Sequence, residues 1–114
     1  MSLHDRQRFA AFATGLPAAT LVEQWESLVA KVGGKVFCLR GEQSGDIVFK
    51  VSEMSFDGLT DLEGIGQAGY FAKRQWVRVE PGALEDGLLE GYIRQSHQII
   101  ASKLTRRIRA ELGL

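Results

Sequence analysis

Val32-Gly33-Gly34-Lys35-Val36-Phe37 decides the fold. Two glycines separate two runs rich in β-branched and apolar residues, Leu28 to Val32 and Lys35 to Arg40. Glycine enters positive φ without steric cost, so the pair suits a two-residue hairpin turn. The predicted register places Val32 opposite Lys35 and Ala30 opposite Phe37. Downstream, Asp46 to Val51 alternates, with Ile47, Phe49 and Val51 on one face, and extends the hairpin into a meander. Upstream, Thr20 to Gln24 is a further strand candidate.

A second segment, Lys73-Arg74-Gln75-Trp76-Val77-Arg78-Val79, lies about forty residues on. Tyr70 to Glu80 reads as one or two strands. Val77 and Val79 share one face, and Trp76 and Arg78 share the other.

Helical patterns frame these strands. Ser2 can cap a first helix carrying Phe9 and Phe12 on one side, with Gly15 and Pro17 stopping it. Ser55 can cap a second, burying Phe56, Leu59 and Leu62. Asp86 can cap a third. Leu88, Leu89, Tyr92, Ile93, Ser96, Ile99, Ile100, Leu104 and Ile108 recur at spacings of three and four, and Gly113 ends the pattern. At 1.5 Å per residue that helix would run roughly 35 Å. The expected order is α-β-β-β-α-β-β-α: about five antiparallel strands, three helices and a long C-terminal helix.

The chain has 114 residues, so the expectation is one domain over residues 1–114. No apolar run is long enough to span a membrane. The N-terminal stretch Met1 to Arg6 carries charge where a signal peptide needs an apolar core. A lone cysteine, Cys38, has no internal disulfide partner. Both features predict a cytoplasmic protein.

Formal net charge is zero and the pI is about 6.7. Autonomous nucleic-acid binders are usually more basic, which argues against strong sequence-independent binding. The charge is uneven, however. Glu53, Asp57, Asp61 and Glu63 form one acidic stretch, and Glu80, Glu85, Asp86 and Glu90 another. Lys73, Arg74 and Arg78 are a basic group, and Arg94, Lys103, Arg106, Arg107 and Arg109 follow without an intervening acid. A neutral total can hide a bipolar surface. The cations after Lys103 also suit the negative end of a helix dipole, with no partner required.

No catalytic constellation emerges. Gly64-Ile65-Gly66-Gln67-Ala68-Gly69 has the glycine spacing of a dinucleotide-binding turn, but that turn needs a strand before it and a helix after it. Here a short helix precedes it and strand-like sequence follows, so it reads as a loop. His4, His97 and Cys38 are too few and too scattered for a structural zinc site. A Cys38–His97 nucleophile pair is conceivable, but Cys38 sits in mid-strand, where a small buried hydrophobe is the simpler reading. Asp57 and Asp61 lie four apart, which suits a solvated helix face better than a cation site. Trp76 either fills the core at the sheet edge or stands in a basic rim between Arg74 and Arg78, where it could stack on a base or anchor a protein.

The chain resembles the MmcQ/YjbR-type proteins over nearly its whole length. The resemblance rests on Leu16-Pro17, Val32 to Phe37, Phe49-Lys50-Val51, Tyr70 to Arg74, Trp76 to Val79, and Ser96 through Lys103-Leu104. It implies a two-layer α+β sandwich, helices on an antiparallel sheet, similar to frataxin-like and secretion-chaperone-like folds. It also implies a "double wing" DNA-binding label, a structural analogy that carries no catalytic residues. Glu63, Gln67 and Gly69 stand where that family's loop usually carries prolines, and Thr105 replaces another, so the last helix is expected to run on. The expected nucleic-acid surface is Lys31, Lys35, Lys73, Arg74, Trp76, Arg78, Arg106 and Arg107, with Arg109 assisting. The alternative is a protein-interaction domain using an uncovered sheet face that includes Trp76. No enzyme activity, metal, cofactor or membrane partner is expected.

Overall fold

In the computed structural model, which describes residues 2–114, the chain forms six strands and four helices. Met1, part of the charged N-terminal stretch, lies outside them. The order is α1 (Arg6–Thr14), β1 (Ala19–Gln24), β2 (Ser27–Val32), β3 (Lys35–Gly41), β4 (Ile47–Lys50), α2 (Glu53–Thr60), β5 (Ile65–Gln67), β6 (Trp76–Val79), α3 (Asp86–Ser102) and α4 (Arg106–Leu112). The strands make one antiparallel sheet in the order β1-β2-β3-β4-β6-β5. The α+β class and the antiparallel sheet are as expected. The counts of five strands and three helices are corrected to six and four.

Each difference has a local cause. Ile65–Gln67, expected to lie in a glycine loop, pairs with β6 as an edge strand of three residues, too short to show a period. Only Trp76–Val79 of the Tyr70–Glu80 stretch is strand. Tyr70 and Arg74 have φ of 69° and 65°, which breaks extended pairing there. The long C-terminal helix stops at Ser102. Thr105 accepts a hydrogen bond from the Ile108 amide and caps a separate α4. The last helix therefore does not run on as expected, and Thr105 begins a new one.

Three caps also shift. Asp5, not Ser2, caps α1 and accepts from the Arg8 amide. Ser52, not Ser55, caps α2 and accepts from the Ser55 amide. Glu85 occupies the α3 cap position, while the Asp86 carboxylate accepts from the Leu3 amide at 3.2 Å. Leu62 lies beyond α2 and is exposed, so Phe56 and Leu59 alone anchor that helix.

The hairpin register is half as predicted. Val32 faces Lys35, with Gly33 and Gly34 at φ of 58° and 79°. Ala30 faces Cys38 rather than Phe37, because a bulge between Ala30 and Lys31 leaves Phe37 as the extra residue. Phe37 thereby packs edge-on against the His97 ring of α3, with centroids 5.1 Å apart. A Cβ on Gly33 would lie 2.6 Å from a Leu104 methyl, so the bare turn lets the chain after α3 close over the hairpin.

Cross-strand pairing sorts the sheet into two faces. Ala30, Cys38, Ile47, Phe49, Val77 and Val79 share the helix-covered face and are buried. Phe49 stacks on Tyr92 of α3 at 6.0 Å. The other face carries a row that crosses five strands: Val22, Val29, Leu39, Val48 and Arg78. No helix is long and apolar enough to cross a membrane among the described residues.

Candidate functional site: the outer face of the sheet

The expected basic surface does not assemble. Trp76 is 8% exposed, sealed beneath Phe71 with ring centroids 4.5 Å apart. The loop from Gly69 to Gln75 turns back over the β6 end of the outer face and covers the indole, so Trp76 belongs to the core. Arg74 is 3.0 Å from Asp57 and lies over the Phe56 ring. The hydrogen bond that it donates to the Asp57 carboxylate holds the Arg74 guanidinium above its ordinary pKa. Arg78 is 3.0 Å from Asp46, and Arg107 is 3.3 Å from Glu111 on α4. Three of the expected anion-binding cations thus have carboxylate partners within the chain. Arg106 is exposed on α4.

What remains gathers at one end of the sheet. Lys31 and Lys35 flank the β2–β3 turn, Lys50 ends β4, Lys73 precedes β6, and Lys103 caps the α3 C-terminus. None of these five joins an ion pair among the described residues. Burial, and then the neighbouring Lys103 ammonium, lower the Lys50 pKa to about 8. The expected surface left out Lys50 and Lys103, which only the tertiary fold brings together.

This lowered pKa has a measurable consequence. Below about pH 8 both states carry the Lys50 charge, and the folded protein bears its full burial and repulsion. Between about 8 and 10.5 the unfolded chain keeps a proton that the folded one has shed, so this group's contribution to stability rises with pH. Lys50→Met is therefore expected to stabilise the fold at neutral pH by about 1 kcal/mol, after allowance for solvent screening. The gain should shrink toward zero as pH approaches 10.5. Urea unfolding of both proteins across that window checks it, and a pH-independent difference would refute it.

An apolar concavity lies elsewhere on the outer face. A groove of roughly 610 Å³ is floored by Leu39 and Val48 and walled by Trp25, Tyr70 and Phe71, with Ser27, Gly69 and Arg78 completing it. Trp25 is 62% exposed, and Tyr70 is wholly exposed. Both occupy the left-handed region, at φ of 56° and 69°, which costs energy for an aromatic residue. Two large apolar rings are thus held in water, on strained backbone, at opposite walls of one groove. Sequence reading missed both. The available signal was an aromatic residue within a short polar turn, Gln24-Trp25-Glu26-Ser27.

The groove sits beside an acidic rim. Glu23, Glu26 and Glu42 line an adjoining hollow that shares Ser27 with it. Arg6 bridges Glu23 and Glu42 at 2.8 and 3.0 Å, while Glu26 has no ion-pair partner among the described residues. The outer face is therefore acidic at the β1–β2 turn and basic at the β2–β3 turn.

Nothing in the interior suggests a nucleophile pair. Burial pushes the Cys38 thiol up, away from the reactive thiolate. His97 Nε2 donates to the Pro17 carbonyl at 2.7 Å, the role the acceptor dictates. His97 is buried. No group of three His, Cys, Asp or Glu side chains could hold a metal ion among the described residues.

These features define a small α+β domain with one sheet face covered by helices and the other, partly covered by the Gly69–Gln75 loop, holding an apolar groove. A model of the YjbR family matches residues 14–99, and the chain belongs to that family. No curated protein matches it. Its fold is similar to that of a Deinococcus radiodurans protein carrying a DUF419 domain, with a TM-score of 0.86 and 24% identity, over 95% of this chain and 87% of that one. It is also similar to a Pseudomonas syringae protein, with a TM-score of 0.70 and 21% identity, over 83% of this chain and 97% of that one. At these identities the likeness concerns the fold alone.

Proposed function

We propose that this YjbR-family protein is a non-catalytic binding domain that docks a protein partner on the outer face of its sheet. The observation that carries the reading is the groove between Trp25 and Tyr70. Tryptophan and tyrosine are the residues most enriched where a few side chains supply most of an interface's energy. An apolar floor with aromatic walls favours an apolar side chain from the partner, and Ser27 and Arg78 give it polar edges. Capture from a bacterial lysate tests this. Trp25→Ala and Tyr70→Ala should each lose the partners that the unmodified chain retains, while Lys35→Ala keeps them. Equal capture by all four proteins would refute the reading.

The five unpaired lysines favour a second reading, contact with a nucleic-acid backbone at the β2–β3 end. With so few cations, affinity should be weak, on the order of 10⁻⁴ to 10⁻⁶ M at physiological salt. A duplex titration at two salt concentrations, repeated with Lys31→Ala and Lys35→Ala, separates the readings. Absence of binding at low salt would dismiss the second.

A further inference from the structure

Resting on the protein-docking reading above, we infer that the partner docks through an extended segment with one apolar side chain and, about two to four positions away, a lysine or arginine. The apolar side chain enters the groove between Trp25 and Tyr70, and the cation meets the carboxylates of the adjoining hollow.

The groove suits an inserted side chain rather than a flat surface. Leu39 and Val48 lie at its bottom and are each 7% exposed, so only a group placed between the rings reaches them. Trp25 and Tyr70 themselves stand open to water, and such a group covers both. A pocket of this kind is what one apolar anchor fills at the centre of an interface. The turn at its rim is shaped for display. Trp25 and Glu26 are the two central residues of the β1–β2 hairpin, closed by the Gln24–Ser27 pair, at φ of 56° and 54°. Such a turn ordinarily takes asparagine, aspartate or glycine there, because other side chains are strained at positive φ. Strain kept where a relaxed turn would serve the fold equally well points to a role in binding. This turn sets an indole in the groove wall and a carboxylate directly beside it.

Charge fixes the other half of the segment. Ser27 lines both the groove and the acidic hollow, so the two concavities meet. Glu23, Glu26 and Glu42 have one cation among them: Arg6 bridges Glu23 and Glu42, and Glu26 is unpaired among the described residues. Arg40, the neighbouring cation on β3, donates to the His4 and Gly41 carbonyls and joins no ion pair among the described residues. A lysine or arginine from the partner therefore meets surplus negative charge. An acidic residue has no such counterpart, since Arg78, the groove's own cation, already holds Asp46 at 3.0 Å. The unpaired lysines gather at the opposite end of the sheet, and none of them lines the groove. Along an extended chain, side chains on one side recur roughly every 7 Å, so a spacing of about two to four residues carries the segment from one concavity into the next.

Selection from a random dodecapeptide library displayed on phage, against the immobilised full chain, tests the inference. Peptides that drop out of the same selection against Trp25→Ala are those seated in the groove. They are expected to share one apolar residue with a lysine or arginine about two to four positions away. Selection against Glu26→Lys should replace that cation with aspartate or glutamate. Fluorescence anisotropy with one enriched, labelled peptide then gives the affinity. Glu26→Gln should weaken it roughly two- to fivefold, the worth of one exposed charge pair. Trp25→Ala should weaken it roughly tenfold or more, as for an interface anchor. Far-ultraviolet circular dichroism confirms that each variant is folded. Groove peptides without a preference for a cation overturn the inference, and so does a preference for lysine and arginine that survives Glu26→Lys; either result leaves the docking surface intact. If no selected peptide depends on Trp25 or Tyr70, the docking reading falls and this inference falls with it.

Discussion

Phe49→Ala is expected to cost about 4 kcal/mol of folding stability, within the usual range for emptying a buried phenylalanine site. Phe49 is fully buried in the middle of the sheet, between Cys38 on β3 and Val77 on β6. Its ring also stacks on Tyr92, so the cavity would open where α3 rests on the sheet. Neighbours close such a hole only partly, and here strands on both sides fix its walls. Domains of this size hold about 5–15 kcal/mol in all, so the loss is a large share. Thermal and urea unfolding measure it. Phe49→Leu should lose only about 1–2 kcal/mol, since most of the apolar volume remains. A loss below about 1 kcal/mol for the alanine variant would mean that the helix–sheet contact carries little of the fold.

The contrast between Phe49 and Trp76 shows how far one sequence can be read. Ile47, Phe49 and Val51 announced their shared buried face through their spacing of two, although Val48 on the other face of β4 is buried as well. Trp76 and Arg78 also share a face, as the period of two requires. Which of them water reaches depends on the loop from Gly69 to Gln75, and its return over the indole has no local signature. Arg78 lost its predicted role for a similar reason. Asp46 meets it only because β4 lies beside β6, a neighbour relation fixed by strand order rather than by spacing in the chain. The bulge at Phe37 left no mark either. Phe37 and Cys38 are both apolar, so the pattern reads the same with or without an extra residue. The lysine end was half visible in Lys31 and Lys35, which flank a readable turn. Lys50 and Lys103 joined them through the packing of α3. The aromatic walls of the groove come from residues far apart in the chain, and nothing in either segment points to the other.

Ser96→Ala should remove about 3 kcal/mol, more than the loss of one hydroxyl suggests. Ser96 lies fully buried on α3, and its oxygen stands between β3 and β4, one step beyond the Cys38–Phe49 pair that ends their ladder. The hydroxyl donates to the Phe37 carbonyl and accepts from the Lys50 amide at 2.9 Å. One side chain thus spans the rung that the two strands would otherwise close themselves. Alanine would leave a buried acceptor and a half-buried donor without partners, each costing about 1–3 kcal/mol. Hydrogen exchange distinguishes this from a simple packing defect. The Lys50 amide should lose protection far beyond the global destabilisation, while Val48, held by the intact part of the ladder, follows the global change. If Lys50 exchanged no faster than Val48, the strands would have closed the gap unaided. The serine would then be a passenger on α3, and the end of the β3–β4 ladder would not need the helix to hold it. The lysine end depends on the same hydroxyl, because Ser96 anchors Lys50 where Lys103 approaches it. In Ser96→Ala the Lys50 ammonium should therefore titrate closer to 10.5, its ordinary value, than to about 8.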